Sequence, residues 1–198
     1  MNINNLTFVI TTYKSEKTIY NCLDALPKNV SIIVLENSNN HKLKIDLEKK
    51  YQNLSCYVME ENFGYGKANN FGINKSQTEY VFIINPDTIF LKNTLDDMFE
   101  CLKDENFSIA APIDINDNYD YKFNQKGLTD VNFVKGFAMI INKKNMFNQF
   151  FDEKIFLYLE EIDLCKNVKK NNGRIVIVNS RITHLGGLSH GNRDDLEI

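Results

Sequence analysis

The chain is expected to adopt an α/β fold, with a mostly parallel central sheet flanked by helices and a smaller mixed section behind it. Three observations lead there. Five short runs read as strands, most of them apolar on both faces, as strands covered by two layers require. Segments with helical spacing alternate with those runs, and the alternation stops at Pro112. In such a sheet ligands bind beyond the carboxyl ends of the strands, where loops and helix starts converge.

Leu6 to Ile10 opens the series and ends in Thr11-Thr12-Tyr13, after which Ser15 suits the N-cap of a helix running to about Leu26, before Pro27. Val30 to Leu35 reads as the second strand, ending at Glu36-Asn37-Ser38. Leu43, Leu47 and Tyr51 share one face of a helix over 42–51. Leu54 to Met59 is the third strand, Tyr80 to Asn85 the fourth, Thr94 to Leu102 a helix, and Phe107 to Ala111 the fifth strand. Beyond Pro112 a polar stretch from Asp114 to Asp130 precedes Val131 to Asn142, a short helix, and a segment from Phe150 to Tyr158. A helix from about Leu159 to Asn172 ends at Gly173, and two short strands, Ile175 to Val178 and Arg181 to His184, close the fold. No repeat or low-complexity linker divides the chain, so a single domain over 1–198 is expected.

The 198 residues suffice to bury a core without disulfides or structural metal. Lys and Arg total 23 against 26 Asp and Glu, a formal charge of −3, and no basic block stands out. Extended nucleic-acid binding is therefore disfavoured. The four cysteines are far apart with no C-x-x-C pair, which speaks against zinc and against a disulfide framework. Met1 to Asn5 is polar and Leu6 to Thr12 is too short to cross a bilayer, so a cytoplasmic location is expected.

Several residues could carry chemistry. Asp87, in Asn85-Pro86-Asp87-Thr88, lies just past the clearest buried strand, where a metal and a phosphate would bind; the same tetrapeptide also suits a plain turn that caps the next helix. Glu36 ends the second strand, where its carboxylate can accept the ring N3–H of uracil or thymine, or can serve as a loop acid. Between Asn62 and Gly72, Gly64 and Gly66 permit tight backbone and a helix start favourable to an anion, with Lys67 and Asn69 as added donors. The string matches neither G-x-G-x-x-G nor a P-loop, which weakens NAD and ATP readings. In Tyr158-Leu159-Glu160-Glu161-Ile162-Asp163, the stripe Tyr158, Ile162, Cys165, Val168 puts Glu161 at its edge and turns Glu160 and Asp163 elsewhere. Glu161 is thereby the strongest general-base candidate. His184 ends a strand and offers an imidazole to an ion or to a structural hydrogen bond, while His41 and His190 read as surface residues.

Taken in order, these segments resemble the family 2 inverting nucleotide-sugar glycosyltransferases of GT-A fold, in particular their rhamnosyltransferase-like branch. The resemblance runs from Phe8 to Ser189 and also includes Val134-Lys135-Gly136-Phe137, Phe151-Asp152-Glu153 and Thr183-His184-Leu185-Gly186-Gly187. It implies a nucleotide-sugar half over about 1–112 and an acceptor-side, catalytic section over about 113–190. By the same resemblance Thr12, Tyr13 and Glu36 hold the pyrimidine, Lys67 and Asn69 line the nucleotide, and Asn85 stands where the family's D-x-D has its first acid. Asp87 and His184 are then the ligands of Mg²⁺ or Mn²⁺, and Glu161, in the place of the Asp of the family's E-D pair, is the base. The donor implied is a UDP- or dTDP-sugar and the acceptor a glycan or lipid-linked hydroxyl, with peripheral association at the inner membrane face. A catalytically silent nucleotide-sugar-binding module is the alternative. A nucleotidyltransferase would want a glycine-rich basic loop after the first strand, where only Lys14 offers a charge.

Overall fold

The computed structural model of the chain describes residues 1–147 and 150–186. Gly187, Ser189 and His190, and with them the expected end of the acceptor-side section, lie outside the described residues.

Among the described residues nine strands form one sheet: β1 (Leu6–Thr12), β2 (Ser31–Glu36), β3 (Leu54–Val58), β4 (Tyr80–Ile84), β5 (Thr88–Phe90), β6 (Ile109–Asp114), β7 (Leu128–Asp130), β8 (Ala138–Asn142) and β9 (Ile175–His184). Their order is β3-β2-β1-β4-β8-β6-β9-β5, with β7 also on β9. β1, β2, β3 and β4 pair in parallel, as do β6 and β9, whereas β8, β5 and β7 run the opposite way. The architecture is thus α/β with a mostly parallel sheet. Five helices cover it: α1 (Ile19–Asp24), α2 (His41–Lys50), α3 (Gly64–Lys75), α4 (Thr94–Cys101) and α5 (Glu160–Lys170).

The alternation of side chains along each strand sorts the core into two layers. Phe8 and Ile10 of β1 and Phe82 and Ile84 of β4 pack on one face with Ile19 and Cys22 of α1, Leu43 and Leu47 of α2 and Met98 of α4. Val9, Val81 and Ile83 face the other way, against Ala68 and Ile73 of α3 and Leu164, Cys165 and Val168 of α5. On the first face Phe8 stacks on Phe82 at 5.2 Å between ring centroids, and Phe90 meets both edge-on. Both faces are buried, which is why β1 and β4 read as continuous apolar runs.

Four local expectations are corrected. The helix anticipated from Ser15 starts only at Ile19, because residues 15–18 form a turn in which the Thr18 and Ile19 N–H groups donate to the Ser15 carbonyl at 3.1 and 3.0 Å. The two closing strands are one strand, β9, with a bulge: Ala111 pairs with Ile177 but Ile113 pairs with Arg181. Residues 88–90, expected to lead directly into a helix, are the strand β5. Residues 128–130, inside the polar stretch, are the strand β7.

The close seat of α3 on the sheet depends on Gly72. A Cβ there would lie 2.5 Å from Val9 Cγ1 and 2.8 Å from Leu35 Cδ2. Gly72→Ala is expected to cost about 1–3 kcal/mol through overpacking, despite the higher helix propensity of alanine. A melting temperature equal to that of the unaltered protein would show that α3 does not lie this near to β1 and β2.

Candidate active site

The carboxyl ends of β1, β2 and β4, the 134–137 loop and the start of α5 surround a cavity of about 350 Å³. Tyr13, Asn37, Asn85, Glu160, Glu161 and His184 are on its wall, which brings the expected base and the expected histidine to one space. A cavity of this size falls within the range of small-ligand sites.

Asp87 is 1% exposed and lies directly behind His184, its Oδ1 3.3 Å from Nε2. It is therefore not itself on the cavity wall, where the strand-end argument put it; Asn85 and His184 occupy the wall in front of it. The arrangement follows from β5. That strand pairs with β9 so that Thr88 stands opposite His184, and the Leu185 N–H donates to the Asp87 carbonyl at 3.1 Å. The imidazole stacks on Phe137 at 4.4 Å, and the Asn85 amide lies 3.5 Å from Nε2. Both Asp87 carboxylate oxygens are buried without a hydrogen-bond partner. Burial and, after it, the negative charge of Asp87 push the Cys22 thiol far above its ordinary range, so this buried cysteine is inert.

These residues fit a divalent cation. Two ligands each about 2.1 Å from one ion stand roughly 3 Å apart at right angles, close to the Oδ1–Nε2 separation seen here. An orphaned buried carboxylate is also costly unless a partner completes it. Among the described residues no group of three or more His, Cys, Asp and Glu side chains could hold a metal ion. Asp87 and His184 alone would leave most of a cation's shell to water and substrate phosphates, as is common for small hard cations.

The opposite wall is α5. The chain enters it through Tyr158 and Leu159, both left-handed at φ 69° and 71°, a conformation that non-glycine residues rarely adopt. The helix starts only at Glu160, and its buried face is Glu160, Leu164, Cys165 and Val168. Tyr158, expected within the apolar stripe, is 61% exposed instead. The stripe is therefore shifted, and Glu160, expected to point away, lies on the inward face beside Glu161. Its Oε2 is buried with no partner, and burial, with the charge of Glu161 adding to it, raises the Glu160 carboxyl above the ordinary glutamate range. Asp163 does point away, accepting from the Asn167 amide at 3.0 Å. Tyr65 reaches across from α3: its hydroxyl donates to the Gly136 carbonyl at 2.6 Å, and a Cβ on Gly136 would lie 3.5 Å from Glu161 Cβ. Burial first, then the charges of Glu160 and Glu161, raise the Tyr65 phenol far above its usual value.

The nucleotide contacts expected from sequence are only partly assembled. Tyr13 faces the cavity, but Thr12 is buried with its hydroxyl donating to the Leu35 carbonyl at 3.4 Å. Glu36 is fully buried, and its carboxylate accepts from the Ser38 N–H and hydroxyl and from the Asn40 N–H, which makes it the organiser of the loop after β2. Asn69 is buried, bonded to the Thr11 hydroxyl and the Tyr65 carbonyl at 3.0 Å each, and Lys67 lies over the Phe63 ring. None of these four lines the cavity.

The 62–72 glycines serve packing. Gly64 has φ 73°, and a Cβ there would come within 2.2 Å of the Phe156 carbonyl oxygen; a Cβ on Gly66 would meet Phe151 Cβ at 3.0 Å. The Gly64 and Tyr65 N–H groups are already donated, to Asn62 Oδ1 and to the Phe156 carbonyl. Asn37 was missed by sequence reasoning. Its amide donates to Asn62 Oδ1 and the Gly64 carbonyl at 3.0 and 3.1 Å, so it clamps the start of α3 while facing the cavity. Its position just after a strand-end acid was the available signal.

A sheet of this order with acids and a histidine gathered at the carboxyl ends of its strands defines a GT-A type fold. The chain belongs to glycosyl transferase family 2, whose family model matches residues 7–165. It is 25% identical over 197 residues to the low-salt glycan biosynthesis hexosyltransferase Agl10 of Haloferax volcanii, covering 86% of this chain and 63% of that protein. It is 27% identical over 116 residues to the processive diacylglycerol beta-glycosyltransferase of Mycoplasma genitalium, covering 54% of this chain and 34% of that one. In fold it is similar to S. aureus TarS in complex with UDP-GlcNAc, with a TM-score of 0.69, 18% identity, and 94% and 61% of the two chains covered. GalNAc-T7 with UDP, GalNAc and Mn²⁺ superposes with a TM-score of 0.75 at 12% identity, covering 92% and 44%. The chain spans less than two thirds of the length of each of these relatives.

Because Glu160 holds its proton more tightly folded than unfolded, the native state binds more protons over the interval between the two pKa values. Stability falls as pH rises through that interval. Glu160→Gln is thus expected to raise the melting temperature at pH 7, with the gain vanishing on acidification below about 4.3, the ordinary glutamate value. A pH-independent difference between the two proteins would refute the assignment of a buried carboxyl.

Proposed function

We propose that the chain is an inverting glycosyltransferase that moves a hexosyl group from a UDP- or dTDP-sugar to a hydroxyl of a glycan or lipid-linked acceptor. The observation that carries the reading is the convergence of Tyr13, His184 backed by Asp87, and Glu161 on one cavity. Family membership supports transfer of a glycosyl group, and relatives described with UDP, UDP-GlcNAc and Mn²⁺ support the class of donor and the use of a divalent cation. The rhamnosyltransferase-like branch rests on the N-P-D-T form of residues 85–88.

In this reading Tyr13 presents its ring to the pyrimidine, with the Lys14 ammonium 5.4 Å from that ring's centroid. Asp87 and His184 would hold a divalent cation, which would supply Lewis-acid stabilisation of the charge on the departing diphosphate. Glu161 takes the proton of the acceptor hydroxyl as its oxygen bonds to the anomeric carbon and the bond from that carbon to the diphosphate breaks. Attack from the face opposite the diphosphate inverts the configuration. Gly136, held by the Tyr65 hydroxyl, packs on the Glu161 methylenes and keeps that carboxylate in place. Glu160 stands beside Glu161 on the wall of the same cavity.

No helix among the described residues is long and apolar enough to cross a membrane. A place at the inner membrane face is supported by Phe156, Tyr158 and Leu159, which are largely exposed beside the cavity mouth.

Glu161→Gln is expected to lower turnover about 10²- to 10⁴-fold while leaving UDP affinity unchanged, since a base acts in the transition state. Retention of most turnover would refute the base, and donor binding with no turnover in the unaltered protein would favour a silent binding module. Asp87→Asn removes a buried carboxylate charge that accepts no hydrogen bond and has the His184 imidazole 3.3 Å away. It should leave the melting temperature of the ligand-free protein equal or higher, yet abolish the added stabilisation by Mn²⁺ with UDP. An undiminished Mn²⁺ effect would place the ion elsewhere.

A further inference from the structure

We propose that a second cavity, adjoining the active site, receives an apolar chain carried by the acceptor. This deepens the transferase reading and rests on it. The cavity measures about 280 Å³ and lies between the sheet and the loops over 117–121 and 131–134. Its inner wall is Ala111, Pro112 and Ile113 of β6, with Ile177 of β9, and Val131 and Val134 close it from the loop side.

Polarity decides what fits. Lys135 and Asp117 reach the cavity but are bonded to each other. Burial alone would depress the Lys135 ammonium, but the Asp117 hydrogen bond together with the negative charges of Asp117 and Asp114 more than offsets it, so the ammonium stays charged and engaged. Tyr119 and Tyr121 present rings 5.6 Å apart to the same space. Asn132 remains as an amide at the wall. A sugar ring placed there would bury several hydroxyls with few partners, at a cost in free energy for each, whereas methylenes lose nothing and leave water.

Continuity decides where the chain comes from. Lys135 and Phe137 line both cavities, and Gly136 between them backs onto Glu161. An acceptor hydroxyl delivered to Glu161 therefore has its neighbouring atoms at residues 135–137, and the apolar cavity is the next space along. The rim is apolar as well, with Phe133 58% exposed and Tyr119 62% exposed.

The chain contains no tryptophan, so Phe133→Trp installs a single reporter at this rim. Bromodecyl glucoside, kept below its micelle-forming concentration, should quench that emission, and bromoethyl glucoside should not. Across the intermediate alkyl lengths affinity should rise by up to roughly fourfold per methylene until the cavity is full. Adding Val131→Phe, which fills the cavity away from the nucleotide, should weaken quenching more than about tenfold while the rise in melting temperature with UDP stays as it was. Quenching that ignores chain length would overturn the proposal. So would a tryptophan emission that shifts with protein concentration alone, which would assign the rim to contact between copies of this chain. Failure of UDP to stabilise the protein would count instead against the transferase reading itself.

Discussion

The second half of the molecule hangs on β9. This one strand pairs in parallel with β6 and antiparallel with both β5 and β7. Each partner comes from a different part of the chain, so β9 closes long loops whose entropy cost is repaid only once all three ladders form. The bulge between Ile177 and Arg181 changes the register along the strand, which lets its first residues continue the main sheet and its last ones meet β5. Near the end of this strand His184 stands opposite Thr88, with Asp87 directly behind its imidazole.

The site around this strand is built against stability. Asp87 and Glu160 each bury oxygen atoms that nothing in the described structure satisfies, and the approach to α5 holds two consecutive left-handed residues that are not glycine. Deviations of this kind persist where surrounding structure over-determines them, and they concentrate at functional sites. The over-determination is visible. Asp87 is held by its backbone through Leu185 and by the β5–β9 ladder, and Glu160 by a helix anchored through Leu164, Cys165 and Val168.

Much of the frame was legible in the sequence because it rests on local signals. β1, β2, β3, β4 and β6 are apolar runs, and α2 and α4 have clear spacing. β5 and β7 were not legible: three residues flanked by turn formers become strands only because β9, far along the chain, pairs with them. The site divided the same way. Asp87, His184 and Glu161 stand at element ends that could be located from pattern alone. Glu36, Thr12, Lys67 and Asn69 could be located equally well, but their polar atoms or ring contacts are engaged by neighbouring residues: Thr12 by the Leu35 carbonyl, Glu36 by the Asn40 N–H, Asn69 by the Thr11 hydroxyl and Lys67 by the Phe63 ring. Glu160 was lost to an error of phase, since counting the helix from Tyr158 ignored the two left-handed residues that reset its start.

Helix α3 touches the later part of the chain at three places. The Tyr65 N–H binds the Phe156 carbonyl, the Tyr65 hydroxyl binds that of Gly136, and Gly66 sits against Phe151. Asn70 adds a fourth fastening, exchanging hydrogen bonds with the Phe151 backbone in both directions. These four contacts cross-link α3 to the segments that carry Gly136, Phe151 and Phe156, so the two walls of the cleft are stitched together in the structure.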